Sequence, residues 1–199
     1  MIRRKLLFLY IGLIIMIVFT TFSFAVENTD EVLKDVKGTA YEQAVQTLLE
    51  EGAISGYQEG VFKPDAYITR AEACVMIVKI IYSSKEPLQS VKNSSFSDMN
   101  GYGWASPYVN YAVQNRVVSG YGNGVFAPDK NITYNELVTM LVSAKGNTAA
   151  DLEGVWPDKY YEKAKEMGLF ASISNEVEGN MEATRGNAAI MICNGLIER

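Results

Sequence analysis

Arg70 is the side chain best placed to do chemistry. It stands in the run Thr69-Arg70-Ala71-Glu72, just before an apolar stretch. Thr followed three residues later by Glu is a capping box: the hydroxyl takes an orphan amide and the carboxylate reaches back to the cap. Arg70 then falls on the first helical position, where free N–H groups and the positive end of the helix dipole favour an anion. A guanidinium added there suits a carboxylate or phosphate, with two parallel hydrogen bonds available. Arg185 follows Thr184 in the same way, whereas Tyr134 follows Thr133 and brings only a ring and a hydroxyl. The competing reading of Arg70 is a surface ion pair with Glu72 or a neighbouring acid.

Aromatic residues are the second candidate group. Tyr57 and Tyr121 adjoin Gly56 and Gly120 on Gly-rich segments. A ring there can stack on the C–H face of a sugar, and the glycine lets a ligand approach the backbone. The alternative is that these rings pin a loop to the core. Trp104 and Trp156 open helices, a place that favours core aromatics. Asp35 and Asp98 precede first helices and suit caps or turns.

Other chemistries find little support. The chain has no His and two Cys, so it has no transition-metal signature and no Ser–His or Cys–His pair. Carboxylate pairs exist, as in any acidic protein, but none falls at a repeated or constrained position. The expectation is no enzyme, no cofactor and no metal. Cys74 and Cys193 sit in apolar stretches at non-equivalent offsets. They read as buried small hydrophobes, with a disulfide left open.

The elements that position these residues are repeated. Gly52-Ala53-Ile54-Ser55-Gly56-Tyr57, Gly60-Val61-Phe62 and Pro64-Asp65 lead to Ile68-Thr69-Arg70-Ala71-Glu72. Val117-Val118-Ser119-Gly120-Tyr121, Gly124-Val125-Phe126 and Pro128-Asp129 lead to Ile132-Thr133-Tyr134-Asn135-Glu136. A worn third copy is Ala183-Thr184-Arg185-Gly186-Asn187, without the Gly-Tyr loop. Each unit reads as helix, loop, helix. First helices show apolar stripes at Tyr41, Ala44, Val45, Leu48 and Leu49, at Trp104, Tyr108, Tyr111 and Ala112, and at Tyr160, Tyr161, Ala164 and Met167. Gly52 and Gly168 close the first and third stripes as left-handed caps. Arg116 stands where Gly52 stood, so that cap is expected to be weaker or built differently. Second helices, Ala73 to Ile81, Leu137 to Val142 and Ala188 to Leu196, are apolar enough to pack together centrally. No unit is expected to be stable alone.

The N-terminus reads as a leader. Arg3, Arg4 and Lys5 precede the apolar run Leu6 to Phe19, and Ser23 and Ala25 set a cut at Ala25–Val26. An uncleaved membrane anchor is the alternative. Loss of those three cations takes the formal charge from −5 to −8. Such an acidic chain disfavours nucleic acid, so an anionic ligand must be held by local cations. The expected organisation is leader 1–25, unit one 26–82, linker 83–95, unit two 96–144 and unit three 145–199.

Three features together resemble the S-layer homology repeat. They are Phe96-Ser97-Asp98-Met99 with Trp104-Ala105, the Gly-Tyr-x-x-Gly-x-Phe-x-Pro loop, and Ile-Thr-Arg-Ala-Glu. The resemblance covers nearly all of the chain after the leader. It implies a mainly α fold of three helix-loop-helix units in a pseudo-threefold arrangement around a central bundle. It also implies an exported protein of the cell wall or surface that attaches non-covalently to secondary cell-wall polysaccharide or a peptidoglycan-linked glycan. A pyruvate ketal on that glycan supplies the carboxylate that an Arg at a helix start suits. The glycan-contacting set is Arg70, Arg185, Glu72, Gly56, Tyr57, Gly120, Tyr121 and Trp104. Members usually carry an enzyme or surface-layer domain as well; this sequence reads as the repeats alone. The alternative function is an assembly protein of the envelope, whose repeats pack against another protein and have lost the glycan.

Overall fold

The three Thr caps start the three central helices. In the computed structural model, which describes residues 34–55, 60–82, 88, 96–173 and 175–197, six α-helices form and no named strand occurs among them. They are α1 (Glu42–Glu50), α2 (Arg70–Ile81), α3 (Ser106–Gln114), α4 (Tyr134–Ala144), α5 (Asp158–Glu166) and α6 (Arg185–Leu196). The leader with its cut, Gly56, Tyr57 and all of the 83–95 linker except Leu88 lie outside the described residues.

Both capping boxes form. Thr69 Oγ1 accepts from the Glu72 amide while Glu72 Oε2 accepts from the Thr69 amide at 2.9 Å. Thr133 and Glu136 repeat the exchange. Thr184 keeps only its half, accepting from the Asn187 amide. Behind the caps, α2, α4 and α6 each touch the other two, as the apolar runs predict. Ile77, Leu141 and Ile192 are among their fully buried side chains.

The first helices pack in an unforeseen way. Among the described residues, the two helices of one unit make no contact. Instead α3 packs on α2, α5 on α4 and α1 on α6, so each first helix lies on the second helix of another unit. The chain closes the same cycle through its backbone. The Ile68 amide donates to Ala183, that of Ala183 to Ile132, and that of Ile132 back to Ile68, at 2.8 to 3.1 Å.

The α1, α3 and α5 ends are built alike. Gly52 (φ 68°), Arg116 (φ 58°) and Gly168 (φ 70°) all take the left-handed conformation. In each case the next residue's amide bonds to the carbonyl five residues back, as Val117 does to Ala112 at 2.8 Å. The Arg116 cap is therefore not built differently. It carries backbone strain of about 1 kcal/mol that Gly avoids. The α3 stripe is also rotated from expectation. Val109 and Ala112 are buried, while Trp104 is exposed. Cys74 and Cys193 are buried and free, and burial pushes the Cys74 thiol up to about 12. No helix among the described residues is long and apolar enough to cross a membrane.

Candidate functional site

Three of the expected residues, Arg70, Gly120 and Tyr121, meet in one cleft of about 620 Å³. Arg70 enters from the start of α2. The segment after α3 brings Arg116 to Tyr121, α4 brings Glu136, Thr139, Met140 and Ser143, and α5 brings Trp156 and Tyr160. The cleft thus draws on all three units.

Arg70 is only 5% exposed. Its Nε donates to Phe126 O at 3.0 Å and its Nη2 to Ser119 O at 2.6 Å. Its guanidinium lies over the Tyr121 and Phe126 rings, 4.8 and 4.9 Å from their centroids. The alternative pairing with Glu72 does not form. No carboxylate among the described residues is ion-paired with Arg70. A buried cation held only by carbonyls and rings keeps its charge uncompensated, which favours an anion reaching it from the cleft.

The open amides expected at the α2 start are already used. The Arg70 amide donates to Lys130 O and that of Ala71 to Pro128 O, because the next unit's loop folds over the helix end. The site's anion affinity therefore rests on the guanidinium rather than on free N–H groups.

Glu136 is engaged elsewhere. Lys130 Nζ donates to Glu136 Oε1 at 3.0 Å and to Tyr121 Oη at 2.9 Å, and the Tyr121 hydroxyl donates to Glu136 Oε1. Burial pushes the Glu136 carboxyl up, but the bonds from Tyr121, the Thr133 amide and Lys130 outweigh it and hold the carboxyl below its usual range. Burial and the bond to Glu136 push the Tyr121 phenol up, so it stays a donor at neutral pH.

Gly120 has a reason other than ligand approach. A Cβ there would come within 2.5 Å of the Phe96 ring and 2.6 Å of Val125 O. The glycine is required by packing beneath the loop. Asp98 is a turn former, as expected. Its carboxylate accepts the Phe126 and Ala127 amides, and Asp35 does the same for Phe62 and Lys63.

The remaining candidates lie elsewhere. Arg185 and Glu72 meet each other at the junction of units three and one. Arg185 Nη1 pairs with Glu72 Oε1 at 3.2 Å, and Arg185 Nε donates to Phe62 O. Trp104 is 52% exposed and does not line the cleft. At the junction of units two and three, Tyr134 is buried and accepts from Asn187 Nδ2 at 2.7 Å. The smaller cleft there is lined by Asp158 and Glu162 and by no cation.

Trp156 is the main residue that sequence reasoning misassigned. Read as a core aromatic, it is 57% exposed and walls the cleft, with its indole N–H donating to Thr139 Oγ1 at 3.1 Å. Its helix-opening position was the same as that of Trp104, so only the fold separates them. Glu136 and Lys130 were also missed, although Glu136 stood in the repeated capping box. No group of His, Cys, Asp and Glu among the described residues is arranged to hold a metal.

Comparison with known proteins bears on the family. The S-layer homology domain model matches residues 32–74 and 95–138. Over 174 residues the chain is 30% identical to a middle cell wall protein of Brevibacillus brevis, covering 87% of this chain and 16% of that protein. A surface layer protein of Brevibacillus choshinensis is 31% identical over 174 residues, 87% of this chain and 15% of the relative. A cellulosome-anchoring protein of Acetivibrio thermocellus is 27% identical over 158 residues, 73% of this chain and 35% of the relative. The chain thus spans only a minor part of each. With its two matched units and their shared loop and capping box, the chain belongs to the S-layer homology domain proteins.

Proposed function

We propose that the chain is a cell-surface anchoring protein that holds an anionic cell-wall glycan in the Arg70 cleft. The observation that carries this reading is a buried guanidinium with no carboxylate partner among the described residues, facing a cleft walled by Tyr121 and Trp156. A ketal-linked pyruvate on a wall polysaccharide has the matching chemistry. Its carboxylate can meet the guanidinium, and its sugar ring can lie on an aromatic face. The relatives named for the cell wall, the surface layer and cellulosome anchoring support the location.

Binding to purified wall polysaccharide, before and after chemical removal of pyruvate, tests the proposal. Arg70→Ala is expected to lose ~1.5–3 kcal/mol of binding, the worth of a charge-assisted contact. Tyr134→Phe serves as the control, since Tyr134 lies buried at a different junction. Arg70→Ala also strands the Phe126 and Ser119 carbonyls, so Trp156→Ala gives a second, exposed probe of the same cleft. Undiminished binding by Trp156→Ala and by folded Arg70→Ala, or binding indifferent to pyruvate, overturns the reading.

A further inference from the structure

Arg116 is the residue of the cleft whose presence the fold does not explain. It occupies the left-handed cap position at φ 58°, where the equivalent residues of the other two units are Gly52 and Gly168. An Arg there costs backbone strain that glycine avoids, and strain retained beside a cleft points towards function. Its side chain gives nothing back to the fold. Arg116 is exposed and makes no side-chain hydrogen bond or ion pair among the described residues. The charged residues lining the cleft are Arg70, Arg116 and Glu136, and Glu136 is already bound by Lys130. The lining therefore presents two uncompensated cations, one buried and one at the rim, in a chain whose formal charge is −5.

We infer that Arg116 is a second anion contact, and that the cleft selects a saccharide carrying two anionic groups. The inner carboxylate meets Arg70 and the second group meets Arg116 at the rim. This inference rests on the reading of the Arg70 cleft as a glycan site, and deepens it by naming the ligand's charge pattern.

The test compares two synthetic disaccharides, identical except that one bears a single pyruvate ketal and the other bears two. Affinities for the protein are measured by calorimetry at low ionic strength. Arg116→Gly is expected to weaken binding of the double ketal roughly three- to fivefold, the scale of an exposed ion pair. The single ketal, attracted by Arg116 only at long range, should weaken by less than that. Arg116→Ala, which keeps the strained backbone, should show the same loss. A higher melting temperature for Arg116→Gly confirms that the variant is folded. Equal affinities of wild type and Arg116→Gly for the double ketal, or equal losses on both sugars, overturn the inference and leave the Arg70 reading standing. Should the wild type bind neither sugar, the Arg70 reading fails and this inference falls with it.

Discussion

At the residue scale, the position after the Thr cap is used in three ways. In two junctions the residue after a Thr cap meets the residue three positions after the next Thr cap. Arg185 finds Glu72 and forms an ion pair; Tyr134 finds Asn187 and forms a neutral hydrogen bond. Arg70 faces a cleft shared with Glu136, but Lys130 and Tyr121 have taken that carboxylate. Lys130 stands where the first unit has Ala66, so the cation that competes for Glu136 has no counterpart beside Glu72. Lys130→Ala should release Glu136 to Arg70 and weaken glycan binding by ~1 kcal/mol, read by calorimetry. Glu136 also sets an acid limit. Its folded carboxyl lies below its unfolded value, so its stabilisation is full above the ordinary Glu range, about pH 4.3, and is lost as pH falls through the folded value. Asp98 adds to the same limb. Burial pushes its carboxyl up, but the Phe126 and Ala127 amides outweigh that and lower it. Glu136→Gln should flatten the fall in melting temperature below about pH 4; an unchanged acid limb would refute the assignment.

At the element scale, the sequence was most legible where chemistry is local. The Thr caps and the apolar second helices follow from periodicity and neighbouring residues. Legibility ended where an element's partner is remote in sequence. The amides at the α2 start look free until the loop of unit two is folded over them. Trp104 and Trp156 occupy the same repeat position, yet only Trp156 reaches the cleft, because α5 lies on α4 beside it. Gly120 illustrates both sides. Its place in the loop marks it as necessary, but the reason is the Phe96 ring and Val125 O rather than a ligand. Gly120→Ala must displace one of these, and should cost ~1–3 kcal/mol in a denaturant titration, as overpacking does. A neutral result would show that the loop yields at little cost.

At the scale of the whole molecule, the cyclic exchange of helices explains why a unit without its own binding loop is still needed. The third unit lacks the Gly-Tyr loop. It nevertheless supplies Trp156 and Tyr160 to the cleft of the first two units. It also supplies α6, on which α1 lies and whose Gly186 leaves room for the Tyr41 ring. Removing it strips the apolar faces of α1 and α4 of their cover at once, and breaks the backbone ring at Ala183. Stability in such an arrangement belongs to the interfaces between units rather than to any one of them. A chain ending at Lys145 should therefore lose cooperative unfolding altogether, rather than melt a little lower. Calorimetry should show no heat-absorption peak, and a hydrophobic dye should bind strongly at room temperature. The full chain should melt in one transition whose amplitude covers all six helices by circular dichroism. A truncated chain that melts cooperatively would mean that units one and two bury enough by themselves, and that the third is dispensable to the fold.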